Sequence, residues 1–389
     1  MSLDTLPYEI FQFIASPLDK RDHLSLCLIN KKLLPFAQPL LFRTVSLTLS
    51  GFWFNEGNDW KSPSDLEKWT RNCFFRTLSS LPHLAASISS LGLRLDPALL
   101  DNTPRFQLTV SLLQSTINLH HLRLEALATA RGSLSSEMVE AIPSSLRSLE
   151  IVLPILNQGG MQRILERLGS LESLNLTRAV AGEGGDPTGE NLLSSRPKHL
   201  QIPRSDLDWR PFFHDLLLQA ASSLKIYEGP VVSVGTLKDV QLPRLQCLRL
   251  TCGRQIITGG SSDTIYRESV QPFVRDLRLT LLNAPRLEYL KVGFFYCCGA
   301  PQYEANTINL FEVMPKSIKT ISLQGPGLWS APSLIRFLAS TSASVDLETL
   351  RVREPQCAAD EVFKQQIEDL CEMRGIAFAW MMETGPDRD

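Results

Sequence analysis

The sequence predicts an α/β fold: a small N-terminal helical module followed by an irregular, curved array of parallel strands with helices on its outside. Three observations predict it. A short apolar pattern recurs along most of the chain. Segments with helical periodicity separate its copies. The first forty-odd residues show only the helical period.

The helical module spans residues 1–43. Pro7 suits the first turn of a helix, with Glu9 behind it at the positive end of the helix dipole. Ile10, Phe11, Phe13 and Ile14 supply apolar residues at helical spacing, and Pro17 closes the segment. Asp19 or Asp22 caps a second helix carrying Leu24, Leu26, Leu28 and Ile29. Asn30 caps a third, Lys31–Gln38, in which Pro35 is expected to produce a kink. Thr44–Leu49 then alternates like a strand.

Residues 44–80 form a connector. Asp65–Thr77 reads as a helix capped at Ser64. Trp53, Trp60 and Trp69 are large aromatics expected to pack this connector.

Residues 81–389 carry the repeats. The unit is apolar-x-x-apolar-x-apolar. Clear copies begin at Ile88, Leu119, Leu146, Leu171, Leu245, Leu287, Ile318 and Leu347. Weaker ones are His199-Leu200-Gln201-Ile202 and Ser223-Leu224-Lys225-Ile226. The spacing is mostly about 21 to 31 residues, the leucine-rich-repeat range or slightly above it. Helical patterns lie between copies at Met138–Ala141, Met161–Leu168, Pro211–Ala221, Pro272–Leu282 and Leu334–Ala339. A short strand plus a helix cannot bury its faces alone, so neighbouring units must stack into a solenoid. The Asn or Cys that normally closes each leucine-rich turn is missing, and loop lengths vary, so the array is irregular. Gly259-Gly260-Ser261-Ser262 marks one long loop. A helix, Glu361–Arg374, and a last strand, Ile376–Met382, cap the end.

A module of about forty residues cannot bury all the apolar side chains of the N-terminal segment. Some of Leu6, Pro7, Ile10, Ile14, Leu24 and Leu28 must meet another surface, on this chain or on a partner. The run Leu6-Pro7-x-Glu9-Ile10-x-x-x-Ile14, Leu18, Asp22-x-Leu24-x-x-Cys27-Leu28, Ile29-Asn30-Lys31 and Pro39-Leu40-Leu41-Phe42-Arg43 resembles the F-box of fungal F-box proteins with leucine-rich repeats. Residues 75–95 resemble the junction that follows it. The resemblance implies a substrate receptor of a ubiquitin ligase of the SCF type. It places Leu6, Pro7, Ile10, Ile14, Leu24 and Leu28 against the Skp adaptor, and through it a cullin. Two alternatives stay open: the helices dock back as a cap on the repeats, and the chain is a scaffold outside ubiquitination.

Composition narrows the classes further. A net charge of −2 gives no global field toward nucleic acid or membrane. No stretch approaches the roughly 18 apolar residues of a membrane span. The N-terminus lacks a basic region, so no secretory signal is expected. The scattered cysteines contain no CxxC, which fits reduced thiols in the cytoplasm or nucleus. There is no GxSxG and no phosphate loop, and the histidines form no HxxxH. Gly182–Gly189 reads as a flexible loop. Neighbours such as His120-His121 point to opposite faces of a strand. No catalytic group, metal site or cofactor is therefore proposed.

The residue between the last two apolar positions of each unit faces away from the core. These residues are Gly92, Arg123, Glu150, Asn175, Gln201, Lys225, Arg249, Lys291, Ser322 and Arg351. Strands about 4.8 Å apart would align them in a stripe. Arg123, Lys225, Arg249, Lys291 and Arg351 predict a target that is acidic or phosphorylated.

Overall fold

The computed structural model describes residues 7–29, 31–48, 53–54, 60–61, 65–95, 104–126, 135–152, 158–177, 194–202, 210–251, 271–293, 310–324, 331–340, 346–353 and 361–381. The fold is α/β, and the chain divides into two compact units, Met1–Ser195 and Arg196–Asp389.

The first unit opens with α1 (Tyr8–Ala15), α2 (Lys20–Ile29) and α3 (Leu34–Phe42). Pro7 sits just outside α1 in extended geometry, and its carbonyl accepts the Phe11 amide at 3.0 Å. Its missing N–H therefore costs the helix nothing. Asp19, not Asp22, caps α2: its Oδ1 accepts the amides of Arg21 at 2.8 Å and Asp22 at 2.9 Å. The third helix corrects the expected Lys31–Gln38. It begins at Leu34, so Pro35 lies in the first turn, where it is tolerated, and the interior proline is Pro39. Phe11, Ala15, Leu33, Ala37 and Leu40 form the core of this module, joined by Leu26, Cys27 and Phe36. The Phe11 and Phe36 rings meet with centroids 5.8 Å apart.

Strand β1 (Thr44–Thr48) follows, then a short antiparallel pair, β2 (Trp53–Phe54) with β3 (Trp60–Lys61). The side chains of Trp53, Trp60 and Trp69 lie outside the described residues. Helices α4 (Asp65–Ser80) and α5 (Pro82–Ala86) lead to β4 (Ser90–Leu95). After it come α6 (Pro104–Ser115), β5 (His121–Ala126), α7 (Ser136–Ala141), β6 (Ser148–Val152), α8 (Gln158–Arg167) and β7 (Ser173–Thr177). Strands β1, β4, β5, β6 and β7 are parallel and follow chain order. Leu91, Leu93, Leu122, Leu124, Leu149 and Leu174 of the repeated pattern are all buried.

The second unit continues with β8 (His199–Gln201), α9 (Arg210–Ala220), β9 (Ile226–Pro230), α10 (Val234–Leu237), β10 (Cys247–Thr251) and α11 (Gln271–Leu282). It ends with β11 (Tyr289–Gly293), β12 (Thr320–Gln324), α12 (Ala331–Ala339), β13 (Thr349–Arg353), α13 (Glu361–Met373) and β14 (Ala377–Met381). Its strands are also parallel and in chain order. Gly375 ends α13 with φ +67°, a left-handed geometry that favours glycine.

Two devices replace the missing Asn or Cys of the turns. Just before a strand, one carbonyl accepts two successive amides of the next unit. His120 O accepts Arg147 N at 2.9 Å and Ser148 N at 2.8 Å, and Lys225 O accepts Gln246 N at 2.8 Å and Cys247 N at 3.0 Å. In addition, the residue preceding the first apolar position reaches back one unit. Asn118 donates to Ala86 O at 2.9 Å, Ser145 to Leu119 O at 3.1 Å, Ser223 to Pro197 O at 2.9 Å and Ser317 to Leu287 O at 2.9 Å. Orphan carbonyls of the turns are satisfied in this way.

The ion pair between Lys238 and Asp276 is buried enough to matter for stability. Asp276 on α11 holds Lys238 Nζ at 3.2 Å, with the carboxylate side chain 12% exposed. Asp276→Ala is expected to lower unfolding free energy by about 1–2 kcal/mol, because the ammonium is left without its partner. Arg275→Ala, which removes a largely exposed pair, should cost less than about 0.5 kcal/mol. Denaturant midpoints of the two variants decide; equal shifts would refute the assignment.

Candidate functional site

The N-terminal module presents an apolar face beside a core that is already filled. On α1 the register sends Phe11 and Ala15 inward and leaves Ile10, Phe13 and Ile14 on the opposite side. On α2, Leu24, Leu28 and Ile29 are exposed. Exposure reaches 82% at Phe13, 78% at Leu28 and 75% at Ile29. Pro7 is exposed as well, while Leu6 lies outside the described residues. Of the residues singled out from the sequence, Pro7, Ile10, Ile14, Leu24 and Leu28 thus lie at the surface of this module. Phe13 and Ile29 were missed as surface residues. The signal for Phe13 was available: 10, 13 and 14 share one helical face, and 11 and 15 share another.

The angle between these helices is held by a buried histidine. His23 Nε2 lies 2.8 Å from the Ala15 carbonyl at the end of α1, which assigns the proton to Nε2. Arg43 Nη1 donates to Ser16 Oγ at 3.0 Å, tying the end of α3 to the same corner.

The second candidate surface is the face of the sheet opposite its buried leucines. In the first unit the stripe runs Ser46, Gly92, Arg123, Glu150, Asn175 across β1, β4, β5, β6 and β7. Its cations are matched internally. Arg123 reaches Glu125 at 3.5 Å and Glu150 at 3.4 Å, and Arg94 reaches Glu125 at 3.0 Å.

In the second unit the stripe is Gln201, Glu228, Arg249, Lys291, Ser322, Arg351 and Ala379. Lys225 is not in it. It precedes β9, and Glu228 stands where the stripe crosses that strand. The cause is Gly229, which occupies the last apolar position of its unit, opposite Leu250. The fully buried Tyr227 ring fills the space instead. The pattern is therefore Leu224-x-x-Tyr227-x-Gly229, three residues later than the apolar residues alone suggest.

Glu228 also neutralises Arg249, whose Nη1 lies 2.7 Å from Oε1. The guanidinium carbon stands 5.2 Å from the centre of the Tyr289 ring, a cation–π stack. Burial pushes the Cys247 thiol up, with Arg249 pulling the other way, so the thiol is protonated at neutral pH.

Burial lowers the His199 pKa; Glu228 opposes this and Arg249 adds to it. The imidazole is neutral in the folded chain at pH 7. Unfolding returns it to about 6.5. The unfolded state then binds the extra proton, so this contribution is complete above about pH 6.5 and is lost as pH falls through the folded value. Unfolding midpoints measured from pH 7.5 down to 5.5 should therefore fall less steeply for His199→Asn than for the parent. Identical slopes would overturn this.

Among the described residues no cluster of three or more His, Cys, Asp or Glu is arranged to hold a metal ion. No described helix is long and apolar enough to cross a membrane. Compared with known proteins, the chain matches no family model and no curated protein.

Proposed function

We propose that this chain is the non-catalytic, target-binding subunit of an SCF-type ubiquitin ligase: an F-box module joined to an irregular leucine-rich-repeat array. The observation that carries the reading is the exposed apolar face of α1 and α2, with Phe13 at 82% and Leu28 at 78% exposure, on helices whose own core is complete without them. Side chains this apolar and this exposed favour a protein partner. The F-box resemblance names that partner as the Skp adaptor, itself linked to a cullin. The second surface, the sheet face with its column of Arg and Lys, would hold the target. The subunit's contribution to ubiquitin transfer would be proximity rather than bond chemistry. It would act in the cytoplasm or nucleus, where such ligases assemble.

Co-purification with the Skp adaptor tests the proposal. The unaltered chain should form a stoichiometric complex, and Leu6→Ala, Pro7→Ala and Ile10→Ala together should weaken it. Failure of the unaltered, folded chain to bind any Skp adaptor would sink the ligase reading.

A further inference from the structure

The connections that lead into the strands of the second unit form a cationic rim, apart from the sheet face. They stack in chain order. Lys198 O accepts Lys225 N at 2.7 Å, Lys225 O accepts Gln246 N at 2.8 Å, and Gln246 O accepts Glu288 N at 2.9 Å. Arg196, Lys225, Arg244, Arg286 and Lys316 stand in the connections before β8, β9, β10, β11 and β12, and all five are exposed. None of them has an ion-pair partner among the described residues.

The backbone beneath two of these cations is held with particular care. Leu242-Pro243-Arg244-Leu245 and Ala284-Pro285-Arg286-Leu287 are the same tight turn. The Leu245 amide donates to Leu242 O at 3.2 Å, and the Leu287 amide donates to Ala284 O at 3.2 Å. Proline in second place sets φ, so both arginines leave their turns from one backbone geometry. Asn283 joins the two turns. Its Nδ2 donates to Lys238 O at 2.7 Å, its Oδ1 accepts Gln241 Nε2 at 2.8 Å, and its backbone carbonyl accepts the Leu242 amide at 2.9 Å. Arg244 and Arg286 therefore stand on adjoining, pre-ordered turns about 5 Å apart.

The rim also carries acids. Glu288 is engaged by Lys319 at 3.2 Å and Glu312 by Arg278 at 3.6 Å, while Asp239 is exposed. Asp346 and Glu348, before β13, mark where the cations end.

We propose that this rim docks an extended acidic segment of a protein partner, with carboxylates set against Arg244 and Arg286. Guanidinium forks suit carboxylates, and charge-assisted bonds are stronger than neutral ones. Five turns about 4.8 Å apart span about 19 Å, the length of about six extended residues. A nucleic acid fits less well. Asp239 stands among the cations and Asp346 and Glu348 close one end, and these repel a strand charged at every nucleotide. A peptide can place neutral residues there. The rim is separate from the sheet-face stripe and does not depend on the ligase reading.

Fluorescence anisotropy on the full chain at low salt tests this, with three labelled probes: octaglutamate, octaglutamine and an oligothymidylate of eight nucleotides. Octaglutamate should bind at least 10-fold more tightly than either of the others. Arg244→Glu and Arg286→Glu together should remove at least 10-fold of that affinity, and Arg351→Glu, on the sheet face, less than 2-fold. Arg244→Gln with Arg286→Gln removes the charges without adding acids, and circular dichroism keeps misfolded variants out of the comparison. Equal binding of octaglutamate and octaglutamine, tighter binding of the oligothymidylate, or an equal loss in Arg351→Glu would each overturn the proposal. Skp capture without octaglutamate binding sinks only the rim, and octaglutamate binding without Skp capture sinks only the ligase reading.

Discussion

Replacing Phe13 and Leu28 together with Ser is expected to reduce Skp-adaptor affinity at least 100-fold and to leave the helical module folded. Both side chains stand in water, at 82% and 78% exposure, so the free chain loses little when they are cut back. Burying a side chain of this size contributes roughly 1.5–3 kcal/mol. Two of them at the centre of a contact would supply about 3–6 kcal/mol, and each 1.4 kcal/mol is about tenfold in affinity. Phe11→Ser is the contrasting variant. Phe11 is buried and packs on Phe36 with ring centroids 5.8 Å apart, so its loss should unfold the module and remove binding indirectly. Calorimetric titration with the adaptor, alongside circular dichroism, separates the two cases. Unchanged affinity in the Phe13/Leu28 variant would place the partner elsewhere.

The second large effect concerns Gly229. A Cβ at that position would lie 2.5 Å from the Tyr227 hydroxyl oxygen and 2.8 Å from the ring carbon bearing it. Tyr227 is fully buried and has nowhere to retreat. Gly229→Ala should therefore cost about 2–3 kcal/mol by overpacking. The same substitution made with Tyr227→Leu should cost less than about 1 kcal/mol, because the colliding atoms are gone. A double-mutant cycle from denaturant midpoints measures the difference. Equal cost in both backgrounds would show that Gly229 is needed for its backbone rather than for space. Burial pushes the Tyr227 phenol well above its usual range; nearby Ser233 eases this only in part. The Ser233 hydroxyl is donated to the Pro230 carbonyl at 2.6 Å, and the Tyr227 oxygen has no partner of good geometry. Tyr227→Phe should accordingly be close to neutral.

The repeat units were legible because their signal is local. The buried leucines of β4, β5, β6, β7, β10 and β11 occupy the positions that the apolar pattern assigns, and strands start within a residue or two of them. The helices after them were legible for the same reason. Where the local signal breaks, the elements lie elsewhere than the apolar pattern predicts. At Tyr227 and Gly229 a bulky ring beside a glycine replaces two aliphatic residues, so the apolar pattern landed on Leu224 and Ile226 and brought Lys225 into the stripe. At the third helix, Pro35 reads as a kink only if the helix starts at Lys31; starting at Leu34 makes it a first-turn proline.

The sequence by itself located the strands that keep the apolar pattern and the side of each that is buried, and it showed that the N-terminal helices carry more apolar residues than they need. Tertiary structure decided which of those residues are surplus and which cations have partners. Phe11 and Phe13 differ only in which side of α1 meets α3. Arg123 and Arg351 differ only in what stands on the adjoining strands. In a parallel array the neighbours of a side chain come from a unit some twenty to forty residues away, as Arg249 with Glu228 and with Tyr289 shows. Periodicity determines an element's own face, but pairing across strands depends on register, and a single glycine is enough to shift it.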